Sequence, residues 1–349
     1  MSKYLNSRLA ALDAYVPGEQ PKVGGLIKLN TNESPFPPAP GVREAAARAA
    51  DRLNLYNDLS AGQLIGLLAE TYGLAPDQIA VSNGSDEILA FAFQAFGENG
   101  LAFPDITYGF YPIWANLYGL DAKIIPLDAE FRIRPAEYFA CGRTVVIANP
   151  NAPTGTALPL SALSEIAERN PGNVLIVDEA YVDFGAESAV SLISERENVL
   201  VVRTFSKSRQ LAGARLGFAM GCAALIEDLN RVRYSFHPYN VNSMTQAAGA
   251  AALADPAYFE ACRQSIMDTR EWTKERLEQM GFSVLPSRAN FLFAKPPRMT
   301  GETYQRKLRE RNIVVRRFDL PRIRDYLRIT IGSRAQMETL INTTKELIP

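Results

Sequence analysis

Lys207 stands between two serines in RTFSKSRQLAGARLGF (203–218), directly behind the apolar run NVLVV, and Arg215 follows in the same stretch. A lysine desolvated at the end of a buried strand loses part of its preference for the charged form and becomes a usable amine nucleophile. A solvated surface lysine is the plain alternative. Asp178 closes a second apolar run, NVLIV, where an unpaired carboxylate would be costly. It needs a cation: either an arginine in a buried ion pair or the protonated ring nitrogen of a bound cofactor. A third group, Asn83, Gly84, Ser85 and Asp86, lies between a strand and a helix start, where backbone N–H groups and the helix dipole can hold a phosphate. The same tetrapeptide could serve as a helix cap and nothing more. Arg215 with the hydroxyls of Thr204 and Ser206 adds a cation and two donors, a set suited to a dianionic phosphate.

These groups need a frame that brings them together. Short β-branched runs, QIAVS, GLAF, KIIPL, TVVIA, NVLIV, NVLVV and RLGFAM, alternate with segments of helical period, which predicts an α/β fold: a three-layer α/β/α large domain around a mainly parallel sheet. DEILAFAFQAF (86–96) is apolar almost all round, as a buried helix would be, and LSALSEIAER (160–169) is amphipathic. Beyond about residue 232 the helices lengthen, and FSVLP, NFLFAK, NIVVRRF and LRITIG come after them, predicting a smaller α+β domain. The expected division is an N-terminal segment 1–30 packing with the small domain, a large ligand-binding domain 31–232 and a small domain 233–349. The proline-rich NESPFPPAPG (32–41) reads as a loop.

The decisive regularity is the polar segment at the end of each strand. QIAVS runs into NGSDE, GLAF into PDITYGF, TVVIA into NPNAPTG, NVLIV into DEAY and NVLVV into RTFSKS. In a parallel sheet those carboxyl ends share one edge, where open α/β sheets bind ligands. A phosphate cradle, a nucleophilic lysine and an acid for a ring nitrogen are together the parts that pyridoxal 5′-phosphate requires. A dinucleotide is disfavoured, because no G-x-G-x-x-G comes after the first strand.

Composition removes most other classes. In 349 residues, 37 Lys+Arg balance 38 Asp+Glu for a formal charge of −1, and the interspersed signs give no basic field for nucleic acid or an anionic membrane. The expected partners are small molecules. The sequence has neither a run long enough to span a membrane nor a signal-peptide pattern at MSKYLNSRLAALDAY, so a cytoplasmic location is expected. Cys141, Cys222 and Cys262 are far apart and lack CxxC spacing, which disfavours disulfides and zinc. His237 is the one histidine, which excludes multi-histidine metal sites and leaves a histidine triad a single candidate base.

SNGSDE, PDITYGFY, NPNAPTG, VDEAY, TFSKSRQLAGARLGF and LRITIGS occur in the order and at about the spacing of fold-type I pyridoxal-phosphate aminotransferases. Within that group, IKLNTNESPFPP and YVPGEQ resemble the histidinol-phosphate aminotransferase branch, and the similarity runs from about residue 8 to residue 345. The resemblance implies that Lys207 is the Schiff-base lysine and later the general base, Asp178 the pyridinium partner and Tyr181 the phenol that donates to the cofactor's ring oxygen. It implies that Tyr108 stacks on the ring, core packing being the ordinary alternative, and that Gly84, Ser85, Asp86, Thr204, Ser206 and Arg215 hold the phosphate. Tyr56 matches a tyrosine that reaches the neighbouring subunit's cofactor, so a homodimer is expected. Arg328 matches the arginine that grips substrate carboxylate or phosphate, while Arg316 and Tyr15 match positions at the phosphate end of histidinol phosphate, with Arg317 an alternative to Arg316. The chain departs from the family pattern in one place: Ala152 stands before PTG where an asparagine amide usually donates to the ring oxygen. Asn151 beside it is the candidate substitute.

The expected reaction is transfer of an amino group from histidinol phosphate to 2-oxoglutarate. Alternatives on the same framework are a threonine-phosphate decarboxylase, an aromatic aminotransferase and, without catalysis, a cofactor-binding regulator. Against the last, the chain carries Lys207 and no separate basic helix-turn-helix segment.

Overall fold

The first strand, β1 (Ile27–Leu29), is taken up far along the chain rather than by its sequence neighbours. Helices α1 (Pro40–Ala50) and α2 (Gly62–Tyr72) come next. The computed structural model describes residues 2–7, 9–12, 19 and 24–348.

The next seven strands build the larger sheet. They are β2 (Ile79–Ser82), β3 (Leu101–Pro104), β4 (Ala122–Ile125), β5 (Thr144–Ala148), β6 (Leu175–Asp178), β7 (Val199–Thr204) and β8 (Gly217–Met220), in the order β2-β8-β7-β6-β5-β3-β4. All pairings are parallel except those of β8, which runs antiparallel to β2 and β7. Every residue of β5, β6 and β7 is buried, because helices cover both faces. Val145, Ile147, Val177 and Val201 point into one core with α2 and with α5 (Leu160–Glu168). Val146, Ile176, Leu200 and Val202 point into the other with α3 (Ser85–Phe96), α4 (Tyr111–Tyr118) and α6 (Ala223–Phe236). The strict alternation is the period of two of a pleated strand, and it produces the three layers expected of the α/β unit.

Helix α7 (Ser243–Leu253) lies beyond residue 232 yet packs against α1 and α2 in the first of these cores. Its sequence SMTQAAGAAAL explains the docking: small side chains let helices approach, and a Cβ on Gly249 would come within 2.4 Å of Leu216 Cδ2. The chain then crosses to the smaller sheet along α8 (Pro256–Gln279). That sheet contains β9 (Ser283–Val284), β10 (Phe291–Lys295), β11 (Ile313–Arg317) and β12 (Leu327–Thr330), in the order β1-β11-β12-β10-β9. Its core packs against α8, α9 (Gly301–Glu310) and α10 (Arg334–Leu347). Strand β1 pairs in parallel with β11, so residues 30–34 leave the small sheet and run toward the edge of the large one. No helix among the described residues is long and apolar enough to cross a membrane.

Candidate active site

The carboxyl ends of β2, β3, β5, β6 and β7 meet at one edge of the large sheet, and the residues just after them line a single cleft. Ser85 and Asp86 enter it after β2, Tyr108 after β3, Ala152 after β5, Tyr181 after β6, and Ser206 and Lys207 after β7. Regions of the sequence more than a hundred residues apart thus converge because parallel strands share a direction.

Asp178, the last residue of β6, forms the floor and is 5% exposed. Tyr111, at the start of α4, donates its hydroxyl to Oδ2 (2.8 Å), and the Ala180 N–H donates to Oδ1 (3.2 Å). Among the described residues no arginine or lysine forms an ion pair with it. Burial pushes its pKa up to about 6, against the pull of those donors and of Lys207. Burial and the adjacent carboxylate also hold the Tyr111 phenol well above its ordinary value, so it stays a donor. Sequence reasoning misses Tyr111, because PDITYGFY carries no mark separating this tyrosine from Tyr108.

The cradle forms where β2 turns into α3. Gly84 takes φ +83°, and a Cβ there would sit 2.6 Å from Arg215 Nη2. On the other side, a Cβ on Gly217 would come within 2.2 Å of the Ser85 amide nitrogen. Arg215, itself at φ +55°, donates through Nη2 to Asp86 Oδ2 (3.1 Å), and Tyr108 donates its hydroxyl to Asp86 Oδ1 (2.8 Å). Thr204 Oγ1 and Ser206 Oγ lie 2.9 Å apart beside them. A helix N-terminus, a guanidinium and two hydroxyls therefore share one corner, which is the donor set of a phosphate site.

Lys207 comes after β7 on a loop fixed from below. Buried Arg203 reaches Glu179 (3.2 Å), Asp183 (2.9 Å) and the Tyr72 hydroxyl (2.7 Å), and Ser208 donates to the second oxygen of Asp183. Glu179 also accepts from the Ala189 N–H and the Ser188 hydroxyl. This network, absent from the sequence expectations, ties the residue after Asp178 to the residue after Lys207. The Lys207 ammonium lies 5.9 Å from the centre of the Tyr181 ring.

Asn151 does not face the cleft as a donor. Its Nδ2 donates to the Ile106 carbonyl and to Thr154 Oγ1, each at 3.0 Å, and its Oδ1 accepts from Thr107 (2.9 Å). Both amide hydrogens are thereby spent on the loop, and Ala152 lines the cleft beside it. Tyr56 is 84% exposed, stacks on Tyr239 with ring centres 4.7 Å apart, and stands apart from the cleft of its own chain. Tyr15 lies outside the described residues.

The mouth is built by the smaller sheet. Arg316 on β11 is directly opposite Arg328 on β12, and both line the outer cleft with Lys207, Tyr181 and Asn30. Arg328 donates to the Asn30 carbonyl (3.0 Å) and lies over the Phe291 and Phe318 rings. Residues directly opposite on paired strands share a face, so the two guanidiniums can act on one anion. Arg317, one residue on, pairs with Asp319 (3.1 Å) and donates to the Arg324 carbonyl (2.8 Å).

These residues fit pyridoxal phosphate. A buried acid held, among the described residues, by neutral donors suits a protonated ring nitrogen, and glycines that admit no Cβ leave a phosphate access to backbone amides.

The family model for aminotransferase class I and II matches residues 25–343. The chain is 48% identical over 350 residues to histidinol-phosphate aminotransferase 1 of Bradyrhizobium diazoefficiens, with 100% of each chain covered. It is 49% identical over 344 residues to the histidinol-phosphate aminotransferase of Chromohalobacter salexigens, with 98% of each covered. In fold it is similar to histidinol-phosphate aminotransferase from Sinorhizobium meliloti, solved in complex with pyridoxal-5′-phosphate, at a TM-score of 0.89 and 24% identity, covering 100% of this chain and 98% of that one.

Proposed function

Because the chain belongs to the class I and II aminotransferases, we propose that it uses pyridoxal 5′-phosphate to pass the amino group of histidinol phosphate to 2-oxoglutarate, in histidine biosynthesis. The observation that carries this substrate reading is the opposed pair Arg316 and Arg328 at the mouth of the cleft that holds Lys207 and Asp178. Two guanidiniums suit a phosphate dianion, and the same pair suits the carboxylates of the oxo acid. Relatives 48% and 49% identical over nearly their whole length carry that substrate in their names.

Bound in the cleft, the cofactor supplies a carbonyl carbon that exchanges amines and a ring that accepts the electron pair released at the substrate carbon. The protein's residues do the rest. Lys207 Nζ would anchor the cofactor, and as a free amine it would take the proton from the substrate carbon. Asp178 would keep a proton on the ring nitrogen, and Tyr111 and the Ala180 amide hold that carboxylate in place. Tyr181 would donate its hydroxyl to the ring oxygen, and Tyr108, which lines the same cleft, would cover the ring face. Gly84, Ser85, Asp86, Thr204, Ser206 and Arg215 would hold the phosphate, with Arg215 already placed there by its bond to Asp86. Asn151 takes no part in this reading, since its amide is committed to Ile106 and Thr154.

We place the enzyme in the cytoplasm as a homodimer. Tyr56, exposed and stacked on Tyr239 with Leu53 and Leu55 exposed nearby, supports a second copy covering this face, with Tyr56 reaching its partner's phosphate cradle. Tyr15 is assigned to the substrate's phosphate end by its motif alone.

The test adds donors one at a time to cofactor-loaded protein while the visible absorption of the lysine-linked cofactor is followed. Histidinol phosphate is expected to bleach the band at the lowest concentration and to yield glutamate on addition of 2-oxoglutarate. A response to phenylalanine with indifference to histidinol phosphate assigns an aromatic donor, and carbon dioxide release from threonine phosphate assigns decarboxylation.

A further inference from the structure

Asn32 lies on the segment that leaves β1 and crosses to the cleft, is 1% exposed, and takes φ +56°, a left-handed conformation that asparagine tolerates better than most residues. Its polar groups are all engaged. Its N–H donates to Thr330 Oγ1 (3.0 Å), its carbonyl accepts from Asn290 Nδ2 (3.0 Å), its Oδ1 accepts the Thr330 hydroxyl (3.0 Å), and its Nδ2 donates to the Tyr181 hydroxyl oxygen (2.9 Å). Thr330 has one hydroxyl hydrogen, and giving it to Oδ1 decides which end of the carboxamide faces Tyr181.

We infer that Asn32 is a positioning residue that aims and strengthens the Tyr181 hydroxyl as the donor to the cofactor's ring oxygen. The inference rests on the proposed use of pyridoxal phosphate. Phe291 meets the Tyr181 ring edge-on with centres 5.1 Å apart at 89°, so the ring is held and the hydroxyl torsion is the freedom left. An N–H donated to the phenol oxygen occupies one side of it and turns its own hydrogen away from Asn32. The same bond polarises the O–H and makes it a better donor. Residues 148–152 meet the cleft through Ala148, Pro150 and Ala152, and the Asn151 amide is spent within its loop. The polarity at the ring oxygen therefore depends on one phenol, and the phenol on Asn32. Thr330 is two residues from Arg328 on β12, so the strand that grips substrate also sets the carboxamide that aims the phenol.

The test reads the pH midpoint of the absorbance change of the Lys207–cofactor linkage in loaded protein, without turnover. A donor at the ring oxygen weakens that oxygen's hold on the linkage proton, so a poorer donor raises the midpoint. Asn32→Gly, which accepts the backbone conformation, is expected to raise it by roughly half a pH unit, and Tyr181→Phe to raise it further. In the Tyr181→Phe background, Asn32→Gly is expected to add nothing. Thr330→Val, which leaves residue 32 an asparagine but removes both the hydroxyl that fixes its carboxamide and the acceptor of its N–H, is expected to give a smaller rise of the same sign. Movement in Tyr181→Phe with none in Asn32→Gly overturns the inference and leaves the cofactor reading standing. Additive shifts overturn it too, because Asn32 then acts by another route. No movement in either variant removes the role given to Tyr181 and the inference with it.

Discussion

On the large-sheet side of the cleft opposite charges meet, Asp86 with Arg215 and Glu179 with Arg203, and on the small-sheet side two like charges, Arg316 and Arg328, occupy one rung of a ladder. The first arrangement is stable by itself and suits a ligand that stays. The second sets two guanidinium-bearing residues on one face, where both can act on one anion, and it suits a ligand that comes and goes. A resident cofactor and a passing substrate are thus met by two kinds of electrostatics within one cleft.

The harshest way to break that contrast is to remove the proposed covalent anchor. Lys207→Ala is expected to lower the rate of glutamate formation by on the order of 10⁴-fold, because it takes away both the cofactor linkage and the group that moves the proton. Borohydride reduction with peptide mapping checks the linkage: wild-type protein should carry the label at residue 207, and a label elsewhere would break the assignment. Arg203, Glu179 and Asp183 should hold the loop unchanged in the variant, so loss of fold is not expected to accompany loss of rate.

Asp178 is the exception on the partnered side, and its pH behaviour sharpens the comparison. Burial raises its pKa from 3.8 to about 6. The native cofactor-free protein therefore binds this proton more tightly than the unfolded chain does. The contribution to stability is fully present below about pH 4 and is lost as pH rises through 6, a penalty on the order of 3 kcal/mol above that pH. Glu179 beside it is likewise pushed up by burial, to about 7, against the pull of Arg203. Asp178→Asn is expected to raise the melting temperature of cofactor-free protein above pH 6 while lowering turnover roughly 10²–10³-fold. Unfolding scans at pH 5 and pH 8 check the first effect: a gain at pH 5 as large as that at pH 8 would remove the explanation by a buried charge.

Much of the large-sheet side is legible in the sequence because most of its residues come at or just after the end of a strand whose apolar run is visible. Lys207, Asp178 and Ser85 fall into place as soon as those strands run parallel, while Arg215 is brought in by the turn before β8, which runs antiparallel to β7. The rest is hidden for physical reasons. Tyr111 and Arg203 serve the site from within buried elements, where a polar residue looks like any other core exception. Asn32 depends on a pairing between β1 and β11 that spans almost the whole chain, and no local pattern encodes it. The position of α7 under the large sheet is masked for a similar reason, since a run of alanines fits either core. Ala152 is legible as a departure, but the fate of the neighbouring Asn151 amide is set by Ile106 and Thr154, contacts that only the fold supplies.

On the small-sheet side, Arg316→Ala tests whether opposed charge is the working principle. It is expected to reduce kcat/KM for the phosphorylated donor by roughly 10- to 100-fold, the loss of one charge-assisted contact, mostly through KM. A drop in stability with no change in KM would show that Arg316 serves the sheet and not the substrate.

The smallest effect is expected one residue along. Arg317 is adjacent to Arg316, has the same charge and reaches the same outer cleft, so proximity alone would give it equal weight. Its bonds argue otherwise: Nη2 is paired with Asp319 and Nε donates to the Arg324 carbonyl, which leaves its guanidinium closing the loop 317–324 instead of facing its counterpart across the strand. Exposed ion pairs of this kind contribute about 0–1 kcal/mol. Arg317→Ala is therefore expected to change KM for the donor by less than about threefold and to lower stability only slightly. Measured beside Arg316→Ala under one set of conditions, a KM effect as large as its neighbour's would mean that net positive charge at the mouth, and not the opposition of residues 316 and 328, selects the anion.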